Sequence, residues 1–142
     1  MTRIENNCAL WMCGYTIHTV EYQKHVCEQY AKEQGLHVKG YYGGVMNGTA
    51  GENKEKLMTM IRNVKEDESI SKIICSDLIC IGSNTYLMQL LINELYDTGV
   101  SIVIVNRDIE IECSMEGFII FVLIQHMHEK KIDELFPEDD ND

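Results

Sequence analysis

Proline is almost absent from this chain, one residue in 142 (Pro137), and neither linker composition nor an internal repeat divides it. The length suits one compact domain able to bury most of its surface in a single core. No apolar run reaches the roughly 20 residues needed to cross a bilayer, and no basic-then-apolar leader opens the sequence. The expectation is a cytoplasmic protein with no membrane association. Basic residues are also scarce, 12 against 23 acids, for a formal net charge of −11. Such a field repels polyanions, so DNA binding would need a local basic patch. Lys54, Lys56, Arg62 and Lys65 are interleaved with acids instead, and direct DNA binding is expected to be weak or absent. A solubilising surface is the plain reading of the charge.

What is present is ordinary for a globular domain: 45% apolar and 25% charged residues. The six cysteines (Cys8, Cys13, Cys27, Cys75, Cys80, Cys113) fall mostly within apolar runs and form no Cys-x-x-Cys motif. They read as reduced, mostly buried thiols. His126 and His128 share a helical stretch at a spacing that points them to different sides, and His18, His25 and His37 are scattered. No cofactor and no metal site is expected.

Short apolar runs alternate with amphipathic stretches, as in an α/β domain. Cys8 to Tyr15 reads as a strand, and Thr19 to Gln34 as a helix with Val20, Cys27, Tyr30 and Ala31 on one face and Gly35 as its stop. Leu36 to Tyr42 forms a second strand, after which Gly43, Gly44, Gly48 and Gly51 mark a loop. Leu57, Met60, Ile61 and Val64 recur at helical spacing and predict a helix over 52–65. Ile70 to Cys75 and Val100 to Val105 read as buried strands of a parallel sheet, with a helix through Met88, Leu91, Ile92 and Leu95 between them.

The last element, about 114–135, starts at Ser114 as N-cap and is apolar on two sides. Phe118, Phe121 and Val122 lie on one, and Ile120, Leu123, Ile124 and Met127 on another. Two apolar faces must both be buried. One packs on its own domain, and the other is expected to meet a partner subunit, unless the helix is fully embedded in its own core. The acidic residues 137–142 read as a disordered tail.

The most informative segment is Ser76-Asp77-Leu78-Ile79-Cys80-Ile81-Gly82-Ser83-Asn84. It resembles the Asp-Leu-x-Arg-Leu-Gly-Arg-Asn phrase of serine recombinases, the resolvase/invertase family. Other pieces follow in the family's order: Trp11-Met12-Cys13-Gly14-Tyr15 where the family has Tyr-x-Arg-Val-Ser, then Tyr30-Ala31-Lys32-Glu33-Gln34-Gly35. Tyr41-Tyr42-Gly43-Gly44-Val45-Met46-Asn47-Gly48, Lys54-Glu55-Lys56-Leu57 and Leu90-Leu91-Ile92-Asn93-Glu94-Leu95 complete the series. The resemblance implies a three-layer resolvase-like α/β domain over residues 1–136, with a mostly parallel central sheet and a long C-terminal helix.

It also identifies the positions that would carry chemistry. Transesterification of a DNA phosphate needs a nucleophile and fixed positive charge on the developing oxyanion, which the family supplies with a serine and several arginines. Here the serine position holds Tyr15. Arginine positions hold Cys13, Cys80 and Ser83, a further one holds Lys54 or its neighbour, and the acidic position of the second loop is Gly43. Losing one electrostatic donor costs about 10²–10³ in rate, and here several are gone with the nucleophile. Cys13 and Cys80 should lie near each other, as thiols filling space that arginines vacated. In the family a DNA-binding region follows the long helix; here the chain stops after Leu135-Phe136 and the acidic tail.

The expected function is therefore that of a catalytically inactive recombinase-like domain. It would act as a homodimer or higher oligomer, or on a recombinase-family partner, with a link to a mobile element implied by the resemblance alone. The alternative is an active recombinase that cleaves and rejoins DNA through Tyr15. A third reading is an acidic inhibitor that covers a partner's DNA-binding surface.

Overall fold

Thr16 begins the first helix two residues earlier than hydrophobic periodicity suggests. Its Oγ1 accepts the Thr19 backbone N–H at 3.2 Å, the N-cap interaction that satisfies an otherwise orphaned donor. The computed structural model describes residues 6–48, 51–77, 80–81 and 86–135, and of 128–135 the backbone alone. Ser83, the His128 side chain and the acidic tail at 137–142 lie outside what it describes. The elements run β1 (Asn7–Gly14), α1 (Ile17–Glu33), β2 (His37–Val45), α2 (Glu52–Glu66), β3 (Ile70–Cys75), α3 (Tyr86–Glu94), β4 (Ser101–Ile104), β5 (Ile109–Glu112) and α4 (Met115–Leu135).

The five strands form one sheet in the order β2-β1-β3-β4-β5, parallel except for the antiparallel pair β4–β5. Alternation along the strands sends side chains to two separate cores. Cys8, Leu10 and Met12 of β1 join Ile74 and Val103 beneath Val20, Cys27 and Ala31 of α1. Ala9 and Trp11 join Ile73, Ile102 and Ile104 on the opposite face, covered by Leu57, Met60 and Ile61 of α2, Met88, Leu91 and Ile92 of α3, and Phe121 of α4. Three layers result: α1, the sheet, then α2, α3 and α4, the α/β architecture anticipated above.

Three expectations needed revision. β2 does not stop at Tyr42 but continues through Gly43, Gly44 and Val45, which pair with Met12, Cys13 and Gly14 of β1. The glycines that read as loop are held in the sheet by pairing with their neighbour strand. β5 was missed, because four residues, Ile-Glu-Ile-Glu, give too short a run; Ile111 is buried while Glu110 and Glu112 face outward. Val105 leaves β4 to begin a 3₁₀ turn through Arg107.

Within α4 the two faces divide differently from the periodicity. Phe121 is buried, and Phe118 and Ile124 pack against the same core. Val122 is exposed, together with Met115, Ile119, Ile120, Leu123 and Met127. The rotation is set at the helix start, where Gly117 rides on β5. A Cβ there would sit 1.6 Å from the Glu112 carbonyl oxygen, so only glycine permits the approach. Ser114 caps the helix as expected, its Oγ accepting the Gly117 N–H at 3.1 Å. Full embedding of α4 in its own core does not hold for the described residues.

Candidate functional site

The strand order reverses at β1: the chain leaves it for β2 through α1 on one face and reaches β3 through α2 on the other. The crevice at the carboxyl ends of such strands is where open α/β sheets bind ligands, and the candidate residues cluster there. β1 extends past its last β3 partner, the pair Trp11–Cys75. Beyond it the buried side chain of Gln23 on α1 stands in for the missing strand. Its Oε1 accepts the Cys13 N–H at 2.8 Å and its Nε2 donates to the Cys13 carbonyl at 2.7 Å. This pins the strand end so that Tyr15, 77% exposed, projects from the turn that follows. A polar residue at helical spacing from Val20 and Cys27 was the signal that could have flagged Gln23.

Tyr15 opens onto a cavity of about 310 Å³ lined also by Met46 and Gly48 after β2, Gly51 to Lys54 at the start of α2, and Tyr86 and Leu87 of α3. The Lys54 ammonium lies 5.5 Å from the centre of the Tyr86 ring, a cation–π contact. Glu52 is turned away into local structure: its Oε1 accepts the Asn47 backbone N–H at 2.8 Å and its Oε2 sits 3.6 Å from Lys56 Nζ. The Cys13 thiol donates to Asn53 Oδ1 at 3.3 Å. Of the residues singled out from sequence, Tyr15 and Lys54 share this cavity, and Cys13 touches its wall through Asn53.

Cys80 sits deeper. It is buried, its thiol 3.3 Å from Ser76 Oγ, and its backbone carbonyl accepts the Trp11 indole N–H at 2.8 Å. Burial is the main reason the Cys13 thiol is pushed above its usual 9.0, partly offset by its hydrogen bond to Asn53. All six thiols are free. Burial raises Cys8 to about 11 and Cys27 and Cys113 to about 12, so these groups are protonated and poor nucleophiles near neutral pH.

Gly43 is held by its surroundings. Its φ is +86°, and a Cβ would meet the Met12 carbonyl oxygen at 2.0 Å. The family's acidic side chain at this position is therefore incompatible with this backbone. The guanidinium that does reach the strand ends is one the sequence reading passed over. Arg107 Nε lies 3.5 Å from Asp77 Oδ1, after β4 rather than around the cavity. Asn53, Tyr86 and Leu87 were likewise unrecognised, since only the packing of α2 beside α3 brings them to Tyr15. Among the described residues no group of three metal-ligating side chains converges, and no helix is long and apolar enough to cross a membrane.

The family description "Resolvase, N terminal domain" matches residues 16–134. No curated protein sequence matches the chain. Solved structures share its fold at low identity. A resolvase family site-specific recombinase from Streptococcus pneumoniae aligns with a TM-score of 0.70 and 15% identity, covering 93% of both chains. The N-terminal catalytic domain of TP901-1 integrase aligns at 0.64 and 15% identity, over 89% of this chain and 97% of that one. The C-terminal catalytic domain of ISC1926 TnpA, an IS607-like serine recombinase, aligns at 0.54 and 14% identity over 70% of each.

Proposed function

The chain belongs to the resolvase N-terminal domain family, and from that premise we propose that it is a catalytically inactive member acting through protein association in DNA recombination. The observation that carries this reading is the outer face of α4, where Met115, Ile119, Ile120, Val122, Leu123 and Met127 are exposed together on one helix. Contiguous exposed apolar surface of this kind marks an interaction site. A two-fold pairing of α4 with its copy, or with the matching helix of a recombinase, would cover it.

The chemistry at the strand ends supports inactivity. A phosphoryl-transfer site needs several cations converging on one phosphate, whereas Cys13 and Cys80 offer thiols in place of guanidinium groups and Arg107 is paired with Asp77. The net charge of −11 supports weak direct DNA binding, and six free thiols support a reducing compartment such as the cytoplasm. The role is then regulation of site-specific recombination, in a mobile element, by self-association or by engaging an active recombinase. Light scattering on a sizing column tests it: a species of at least twice 16.3 kDa is expected at tens of micromolar, and a strict monomer that also fails to bind an active family member removes the reading.

One observation favours the enzymatic alternative: Tyr15 and Lys54 line the same cavity. Incubation with supercoiled DNA, followed by denaturing electrophoresis, decides it. A covalent DNA adduct lost in Tyr15→Phe establishes cleavage and overturns the inactive assignment.

A further inference from the structure

The cavity at the strand ends has a composition that the loss of catalysis does not explain. Among the described residues that line it, the one carboxylate is held locally and the one ammonium is not. Glu52 is engaged by the Asn47 N–H and by Lys56, while Lys54 makes no ion pair among the described residues and rests its ammonium beside the Tyr86 ring. Asn53 Oδ1 accepts the Cys13 thiol, and the same amide brings an NH₂ with two donors. The rest of the lining is flat or aliphatic: the Tyr15 and Tyr86 rings, Met46 and Leu87.

From this arrangement we propose that the cavity binds a small planar organic anion, an aromatic ring bearing one carboxylate or phosphate group. The anionic group pairs with Lys54 and Asn53, and the ring packs between Tyr15 and the Met46–Leu87 side. Size restricts the occupant. Ligand pockets span about 300–1,000 Å³, and a cavity of about 310 Å³ holds one ring system rather than a length of nucleic acid. The net charge of −11 opposes a polyanion but weakens attraction to a monoanion far less, because only one charge meets the field. The exposed rim accounts for entry: Tyr15 and Tyr86 are both more than half exposed, with the Lys54 ammonium against the Tyr86 ring. This inference is independent of α4, whose outer face is a separate surface, and holds whether or not the protein associates.

The test is a titration of the full chain followed by amide chemical shifts, with four probes: 4-hydroxybenzoate, phenyl phosphate, inorganic phosphate and the neutral 4-hydroxybenzyl alcohol. Saturable shifts grouped at residues 46–54 and 86–87 are expected with an aromatic anion, with affinity at least about tenfold above that for phosphate or the alcohol. Which of the two aromatic anions binds more tightly separates a carboxylate from a phosphate ligand. Lys54→Met is expected to weaken binding about tenfold or more, the usual worth of a charge-assisted contact, and Tyr86→Leu should reduce the preference for the ring. Both positions are exposed, so an unchanged amide spectrum elsewhere confirms a folded variant. Absence of saturation up to about 10 mM, equal affinity for phosphate and the aromatic anions, or an unaltered Lys54→Met titration each overturns the proposal. Any of these results leaves the association of α4 untouched.

Discussion

Replacing Leu123 by serine should dissociate the protein without unfolding it. Leu123 is 57% exposed on the outer face of α4 and is absent from the core cluster that holds Phe118, Phe121 and Ile124. Complete burial of a leucine is worth about 1.5–3 kcal/mol, so the part still exposed represents about 1–1.5 kcal/mol per copy. In a two-fold interface both copies bury it, giving about 2–3 kcal/mol for the pair. At a factor of ten per 1.4 kcal/mol, Leu123→Ser should weaken self-association roughly 30- to 150-fold. Sedimentation velocity over a concentration series reads this directly, with thermal unfolding under dissociating conditions as the control. Surface substitutions away from special features stay within about 0.5 kcal/mol, so the monomer's stability should be unchanged. Phe121→Ala provides the contrast. It empties a buried site of the domain's own core and should cost about 3–5 kcal/mol of folding free energy. Identical sedimentation of Leu123→Ser and the parent would refute the assignment of this face, as would a parent that never rises above monomer mass.

Three more outcomes follow from particular contacts. Gly117→Ala gains about 0.8–1.0 kcal/mol of helix propensity yet forces a Cβ against the Glu112 backbone. Overpacking of about 1–3 kcal/mol should win, and a urea midpoint above the parent's would show that α4 does not ride on β5 as described. In native protein at pH 8, iodoacetamide should modify Cys13 well before the five buried thiols; mass spectrometry showing Cys75 or Cys113 labelled at an equal rate would contradict their burial. Asp67 is held at about 2, below its usual 3.8, by hydrogen bonds from Ser69 and from Lys39. A depressed carboxyl contributes stability that is present above pH 4 and is lost as pH falls toward 2. Ser69→Ala should raise the Asp67 titration midpoint in a carboxyl-detected NMR experiment and move acid unfolding to higher pH, and an unmoved midpoint would exclude Ser69 as the main cause.

Local pattern by itself determined a good deal of this protein. Leu57, Met60, Ile61 and Val64 announce the buried face of α2, and all four are fully buried. The β-branched run Ile70 to Cys75 delimits β3 to the residue. These features were legible because a period of 3.6 or a short continuous apolar run is written in adjacent residues. The order of motif-like segments likewise carried the family, since ancestry leaves its trace in sequence. Tertiary structure decided what depends on neighbours distant along the chain. Gly43 and Gly44 are strand because β1 lies beside them, against their own preference for loops. Ile124 faces inward and Val122 outward because Gly117 lets α4 settle on the Glu112 backbone, a rotation that an all-apolar helix cannot encode by periodicity. Lys54, Asn53, Tyr15 and Tyr86 share a cavity only because β1, α2 and α3 converge where the strand order reverses. That Cys13, Tyr15 and Cys80 belong to motif-like segments could be read from the chain; the shape and polarity of the cavity beside them required the fold.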